Sequence, residues 1–274
     1  GTFDGQGYYV YRFDIKSSDG NAALFDTIGA RGSVKNFAAF YQNIEGEKAA
    51  GLAIVNYGLI DECISGSNLS DPFTDQLTKE PKNLTETTTF VKGTSMAGGV
   101  VVENKGVIRN TANYAKATAS ASDGIAGGIA VVNSGTIENC MSIGALSTKE
   151  NGIAGGIVGK NEINALIDGC TLTDNSRSVL QAKFGMLGGV TGFNKGTIQM
   201  SGSSITASIM TTDSIKDSVT LTDAAVDKNK GNLSADSNPV NWSYNNGFLL
   251  ENATYQNTNT KISANRLNLK MTDN

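Results

Sequence analysis

In five similar segments of this chain a glycine is followed, after four residues, by an asparagine: Gly51 and Asn56, Gly99 and Asn104, Gly128 and Asn133, Gly156 and Asn161, Gly189 and Asn194. From one asparagine to the next the steps are 48, 29, 28 and 33 residues. A recurring unit of this length is the tightest constraint on the fold. A segment so short cannot bury its own apolar face, so copies must stack on one another to make a core.

The columns around the anchor separate by chemistry. Directly after the glycine stand Leu52, Val100, Ile129, Ile157 and Val190; two residues further on come Ile54, Val102, Val131, Gly159 and Gly192. The residue before the asparagine is mixed. Apolar positions at a spacing of two predict strands with one face buried. Past the asparagine come Gly58, Gly106, Gly135 and Gly196, the turn chemistry that tolerates positive φ. A column of isoleucine follows: Ile60, Ile108, Ile137, Ile167 and Ile198. The fourth copy, NEINALID, carries two extra residues and lacks the turn glycine, which reads as a bulged corner.

Strand, asparagine corner and second strand, repeated without any three-and-four spacing, predict an all-β chain folded as a parallel β-helix. Parallel crossovers favour the right-handed form. Dividing the length by the repeat predicts about nine coils and, at roughly 4.8 Å per coil, a rod on the order of 45 Å. Residues 1–201 would form the regular solenoid, with residues 66–92 a lateral excursion containing two of the three prolines. Residues 202–274 would continue it as degenerate coils and a C-terminal cap. The doubled glycines of "GIAGGIAVVN" and "GIAGGIVGKN" then serve a bend in the wall. A dinucleotide site would need a helix after them, and a strand follows instead.

Composition narrows the chemistry. The 274 residues include no histidine, which removes the commonest general base, the histidine-dependent zinc sites and every Ser-His or Cys-His nucleophile. A net charge of −4 supplies no footprint for nucleic acid. No apolar run approaches the roughly 20 residues of a membrane helix, so no membrane insertion is expected within this segment. With neither an initial Met nor a charged-then-apolar leader, the chain reads as a piece of a longer protein.

Three candidate sites remain, each with a plainer structural reading beside it. Cys63, Cys140 and Cys170 share one column, with Thr111 and Ser201 in the other copies. Buried thiols behave as small hydrophobes, although Cys140 and Cys170 on adjacent coils have a spacing that permits a disulfide in principle. After the isoleucines come Asp61, Arg109, Glu138, Asp168 and Gln199, expected to face outward. Neighbouring Glu138 and Asp168 have the spacing of a retaining glycosidase or of an acidic ladder able to hold Ca²⁺. The plain reading is a solvated face with Arg109 partly neutralising Glu138. Near the end, Trp242, Tyr244 and Phe248 could stack on a sugar or peptide, or cap the solenoid.

AGGIVGKN at 154–161 followed by IDGC resembles the GLUG repeat, named for glycine, leucine, an uncharged residue and glycine. Gly156-Ile157-Val158-Gly159 and Gly189-Val190-Thr191-Gly192 carry the likeness, and the copies at 51, 99 and 128 lose the final glycine. The opening GTFDGQGYYVYRFDI with LFDTIGARGSVKNF also resembles the coil that precedes such repeats. The resemblance implies a secreted or surface-displayed bacterial protein, adhesin-like or a non-catalytic part of an immunoglobulin A-cleaving metallopeptidase. It carries no catalytic residues to transfer. The expectation is an extracellular structural or adhesive module without cofactor, whose partner is a host or matrix protein or a glycan. A carbohydrate-active enzyme on the same scaffold, using Glu138, Asp168 and Arg109, is the rival, and an accessory domain of a secreted peptidase the third reading.

Overall fold

The computed structural model describes residues 1–18, 20–66, 89–149, 151–172, 179–182 and 186–199, together with short strands at 204–205, 208–211, 226–229, 232–234, 239–240, 255–256 and 261–262. Among these residues there is no helix. Apart from the antiparallel pair Pro239–Val240 and Tyr255–Gln256, the strands build two parallel sheets, and the chain is a parallel β-solenoid.

One wall is a ladder of seven strands: Phe25–Ile28, Ala53–Asn56, Val101–Asn104, Ala130–Asn133, Val158–Asn161, Thr191–Asn194 and Val226–Asn229, stacked in chain order. The pairing puts Asn56 beside Asn104, then Asn133, Asn161, Asn194 and Asn229. After the asparagine corner the chain enters the second wall. There Val34, Ile60, Ile108, Ile137, Ile167, Ile198 and Leu233 stand directly above one another. The five isoleucines are at most 1% exposed. Each such side chain stabilises by about 1.5–3 kcal/mol through removal from water.

The first wall shows seven rungs among the described residues, and the expected nine coils are not confirmed. The expectation divided the whole length by one repeat, but the first step spends 48 residues on a single rung. The lateral excursion also ends sooner than residue 92. Phe90, Val91 and Lys92 lie in the strand Phe90–Gly98, in register with Asn43, Ile44 and Glu45. Val91 is buried and Lys92 exposed, so the period-two pattern of the wall has already resumed there. Residues 67–88 lie outside the described part.

Beneath the first repeat sits a coil that the spacing rule passed over. The 18-residue strand Ser33–Ala50 runs along the second wall, pairing with Thr2–Asp4, Tyr9–Lys16 and Asn21–Ala22 below and with Leu59–Ser65 and Phe90–Gly98 above. Phe3 closes the lower end of the core edge-on against Phe25 and Phe37, ring centroids 5.5 and 5.1 Å away.

The two apolar columns that follow each glycine do not share a core as expected. Leu52, Val100, Ile129, Ile157 and Val190 belong to the central core. Ile54, Val102 and Val131 instead join Ala50, Ile125 and Ile153 in a separate cluster. The chain bends at the glycine, which is doubled in the later copies, so Leu52 sits in the corner and the strand begins one residue later. A Cβ on Gly127 would run into the carbonyl oxygen of Ala130, and one on Gly128 into that of Gly156. Only glycine permits so close an approach of successive backbones.

Candidate functional site

The asparagine corner is a continuous, fully buried amide ladder. Asn56 Nδ2 donates to Asn104 Oδ1 (2.8 Å), Asn104 to Asn133 (2.8 Å), Asn133 to Asn161 (2.9 Å) and Asn161 to Asn194 (2.8 Å). Each second amide hydrogen reaches a backbone carbonyl of the next coil, at Val107, Thr136, Leu166 and Thr197. The Oδ1 atoms of Asn56, Asn133 and Asn194 also accept the N–H of Gly58, Gly135 and Gly196. Asn133 thereby uses both donors and both lone pairs, the full capacity of an amide. No other side chain has this balance at this length. The fourth corner, lacking its glycine, bulges instead: Asn164 adopts φ 66°, and Ile163 stands out 67% exposed.

A second column of corners has no obvious sequence signature. Asn36, Glu62, Asn110, Asn139 and Gly169, one on each successive coil, all take φ between 50° and 59°. Asparagine and glycine tolerate this left-handed region, while other residues pay roughly 1–2 kcal/mol. The signal was present in the order Asn, Glu, Asn, Asn, Gly just before the Cys column. Glu62 is the ill-suited member, so Glu62→Asn is expected to stabilise the fold by about 0.5–1 kcal/mol. A higher urea midpoint at unchanged slope would show it, and a lower midpoint would refute the strain.

The outward charged column begins earlier than the repeats. In register it reads Asp4, Lys35, Asp61, Arg109, Glu138, Asp168. Charges alternate along its first four members, and the contacts follow: Lys35 Nζ lies 3.3 Å from Asp4, and Arg109 Nη2 lies 2.7 Å from Asp61. Arg109 therefore turns down to Asp61, rather than serving mainly to neutralise Glu138. Asn110 Nδ2 also donates to Asp61 at 3.0 Å, and two directed donors hold a carboxylate better than one distant charge. The Arg109 hydrogen bond chiefly, with help from Asn110, holds the Asp61 carboxyl below its usual value.

A depressed carboxylate contributes stability above its unfolded pKa and loses it as pH falls through the folded one. Arg109→Met should therefore lower the melting temperature slightly at neutral pH, since solvent screens the exposed guanidinium, with the difference fading as Asp61 protonates. Equal melting of variant and parent across pH 3–7 would show that the pair contributes nothing.

Glu138 and Asp168 are brought directly opposite each other. Their column neighbours are Arg109 on one side and Gln199 on the other. A retaining hydrolase needs one of its two carboxyls kept protonated by an apolar setting, whereas these two lie half-buried on an outer wall. Among the described residues no group of three or more His, Cys, Asp or Glu is placed to hold a metal ion.

The thiols of Cys63, Cys140 and Cys170 are free and buried. Each Sγ points to the carbonyl oxygen two residues earlier, at 3.2–3.3 Å. Desolvation pushes the Cys63 thiol up to about 11 and raises Cys140 well above the ordinary value. Thiols so placed are poor nucleophiles. Trp242, Tyr244 and Phe248 lie outside the described residues.

The architecture has a counterpart among solved structures. A crystal structure of a candidate immunoglobulin A1 protease from Bacteroides ovatus superposes with a TM-score of 0.57, at 16% identity, over 84% of this chain and 66% of that one. The shared property is the fold. No protein-family profile matches the chain, and the likeness of residues 154–161 and 189–192 to GLUG repeats is not shown by one. No curated protein matches it either.

Proposed function

We propose that the chain is a non-catalytic, right-handed solenoid module of a secreted or surface-displayed bacterial protein, holding its outer wall and loops out to a host or matrix protein or a glycan. The observation behind this reading is the amide ladder. It commits a buried, self-satisfied asparagine on each of five successive rungs to rigidity along the axis, as an extended display scaffold needs. The charges on the neighbouring wall are spent largely on one another, Lys35 on Asp4 and Arg109 on Asp61. Screening the folded chain against host glycoproteins, matrix proteins and glycans should give saturable binding. Failure of every ligand class would reduce the role to a spacer. Polysaccharide breakdown abolished by Glu138→Gln or Asp168→Asn would replace the reading with hydrolysis.

An accessory domain of a secreted peptidase is the second reading, favoured by the shared fold with the Bacteroides ovatus protein. A histidine-bearing zinc motif in the same reading frame would decide for it. Its absence from the complete frame would decide against it.

A further inference from the structure

We propose that Cys140 and Cys170 form an intramolecular disulfide when the chain folds under oxidising conditions, stapling two adjacent coils, while Cys63 stays a thiol. The pairing of Glu138 with Asp168 and of Met141 with Thr171 leaves Cys140 directly opposite Cys170. Adjacent strands are about 4.8 Å apart, inside the Cα range of roughly 4.4–6.8 Å that a disulfide spans. Both side chains point into the same core, 1% and 0% exposed.

The corner also has room to adjust. Neither cysteine lies in a strand. Each follows a left-handed residue, Asn139 and Gly169. The thiols contact the carbonyl oxygens of Glu138 and Asp168 at 3.2 and 3.3 Å and reach the previous coil only at 3.7 Å to Ile108 O and 3.8 Å to Ile137 O, and an S–H is a weak donor. Cys63 has no such option, because its register neighbours are Phe37 below and Thr111 above.

The bridge would close just beyond the irregular fourth corner, which lacks the turn glycine of the other copies. The chemistry balances by exchange with a disulfide oxidant, either a small-molecule disulfide or a thiol–disulfide oxidoreductase. Two S–H bonds break, one S–S bond forms, and the oxidant leaves as two thiols carrying both protons and both electrons. Burial shields the folded thiols, so the exchange belongs to folding, before the coils close.

The test refolds the chain in a mixture of oxidised and reduced glutathione and, in parallel, in excess reductant. Oxidative refolding should lower the intact mass by two hydrogens and yield a peptide pair linking Cys140 to Cys170. Alkylation after denaturation should then label one thiol, Cys63, against three in the reduced sample. The bridged form should melt several degrees higher, since closing a loop of this length restricts the unfolded chain. That gap should vanish in Cys140→Ser and Cys170→Ser and persist in Cys63→Ser. Three labelled thiols in folded, oxidatively refolded protein would overturn the proposal, as would a bridge involving Cys63. Cys63→Ser leaves the pair intact, so its peptide map decides the question even if the other two variants do not fold.

Discussion

Replacing Ile137 with aspartate is expected to abolish cooperative folding of the central coils. The side chain is fully buried between Ile108 and Ile167 within the central apolar core. The substitution removes about 1.5–3 kcal/mol of apolar burial and strands a carboxylate with no cation facing it, a cost of several kcal/mol more. Against a total stability of roughly 5–15 kcal/mol, one such change is enough. Because each coil is supported mainly by its neighbours, the damage should spread up and down the stack. Circular dichroism should show lost or broadened melting, while Ile137→Val should cost only about 0.5–1.5 kcal/mol. An unchanged melt for the aspartate variant would mean that this column does not face the core.

The amide ladder should be nearly as intolerant. Asn133→Leu deprives the Gly135 N–H and the Leu166 carbonyl of their side-chain partner and leaves Asn161 Oδ1 without its donor. It also takes away the acceptor of Asn104 Nδ2. At about 1–3 kcal/mol for each of these four buried groups, the expected loss is at least about 4 kcal/mol, although leucine is the more hydrophobic residue.

Asn133→Asp probes the same point through pH. The aspartate could still accept from Asn104 and Gly135, but its other oxygen would face the oxygens of Asn161 and Leu166, so burial and repulsion raise its folded pKa above the unfolded value near 3.9. A raised carboxyl destabilises at pH above the folded pKa, and the penalty is relieved as pH falls towards the unfolded one. This variant should therefore be worst at neutral pH and recover in mild acid. A melting point that simply falls with acid, in step with the parent, would contradict the ladder.

Much of this architecture was legible before any coordinates. A period-two apolar pattern ending in Asn-x-Gly, recurring at a near-constant interval, has few physical solutions, and the stacked isoleucines follow from that pattern alone. The lowest coil was harder to read because Ile28 stands where the later copies have asparagine, so the anchor used to find repeats is missing there. With Ser33-Val34-Lys35-Asn36-Phe37 set against Leu59-Ile60-Asp61-Glu62-Cys63 the match is plain, but only once the register is known. The end of the excursion was misplaced for a related reason: Phe90-Val91-Lys92 alternates like a wall strand but lies next to residues that do not.

The order of residues is enough to establish that copies stack, which side chains line the core, and that histidine-dependent chemistry is absent. Those are consequences of spacing and of side-chain type, both local quantities. Which charge reaches which partner, and which apolar column fills which core, were settled in three dimensions. A salt bridge depends on the rotamer that carries Arg109 down to Asp61 rather than across to Glu138. Likewise, the bend at a glycine pair turns two columns, spaced like neighbours on one strand face, into the linings of separate cores.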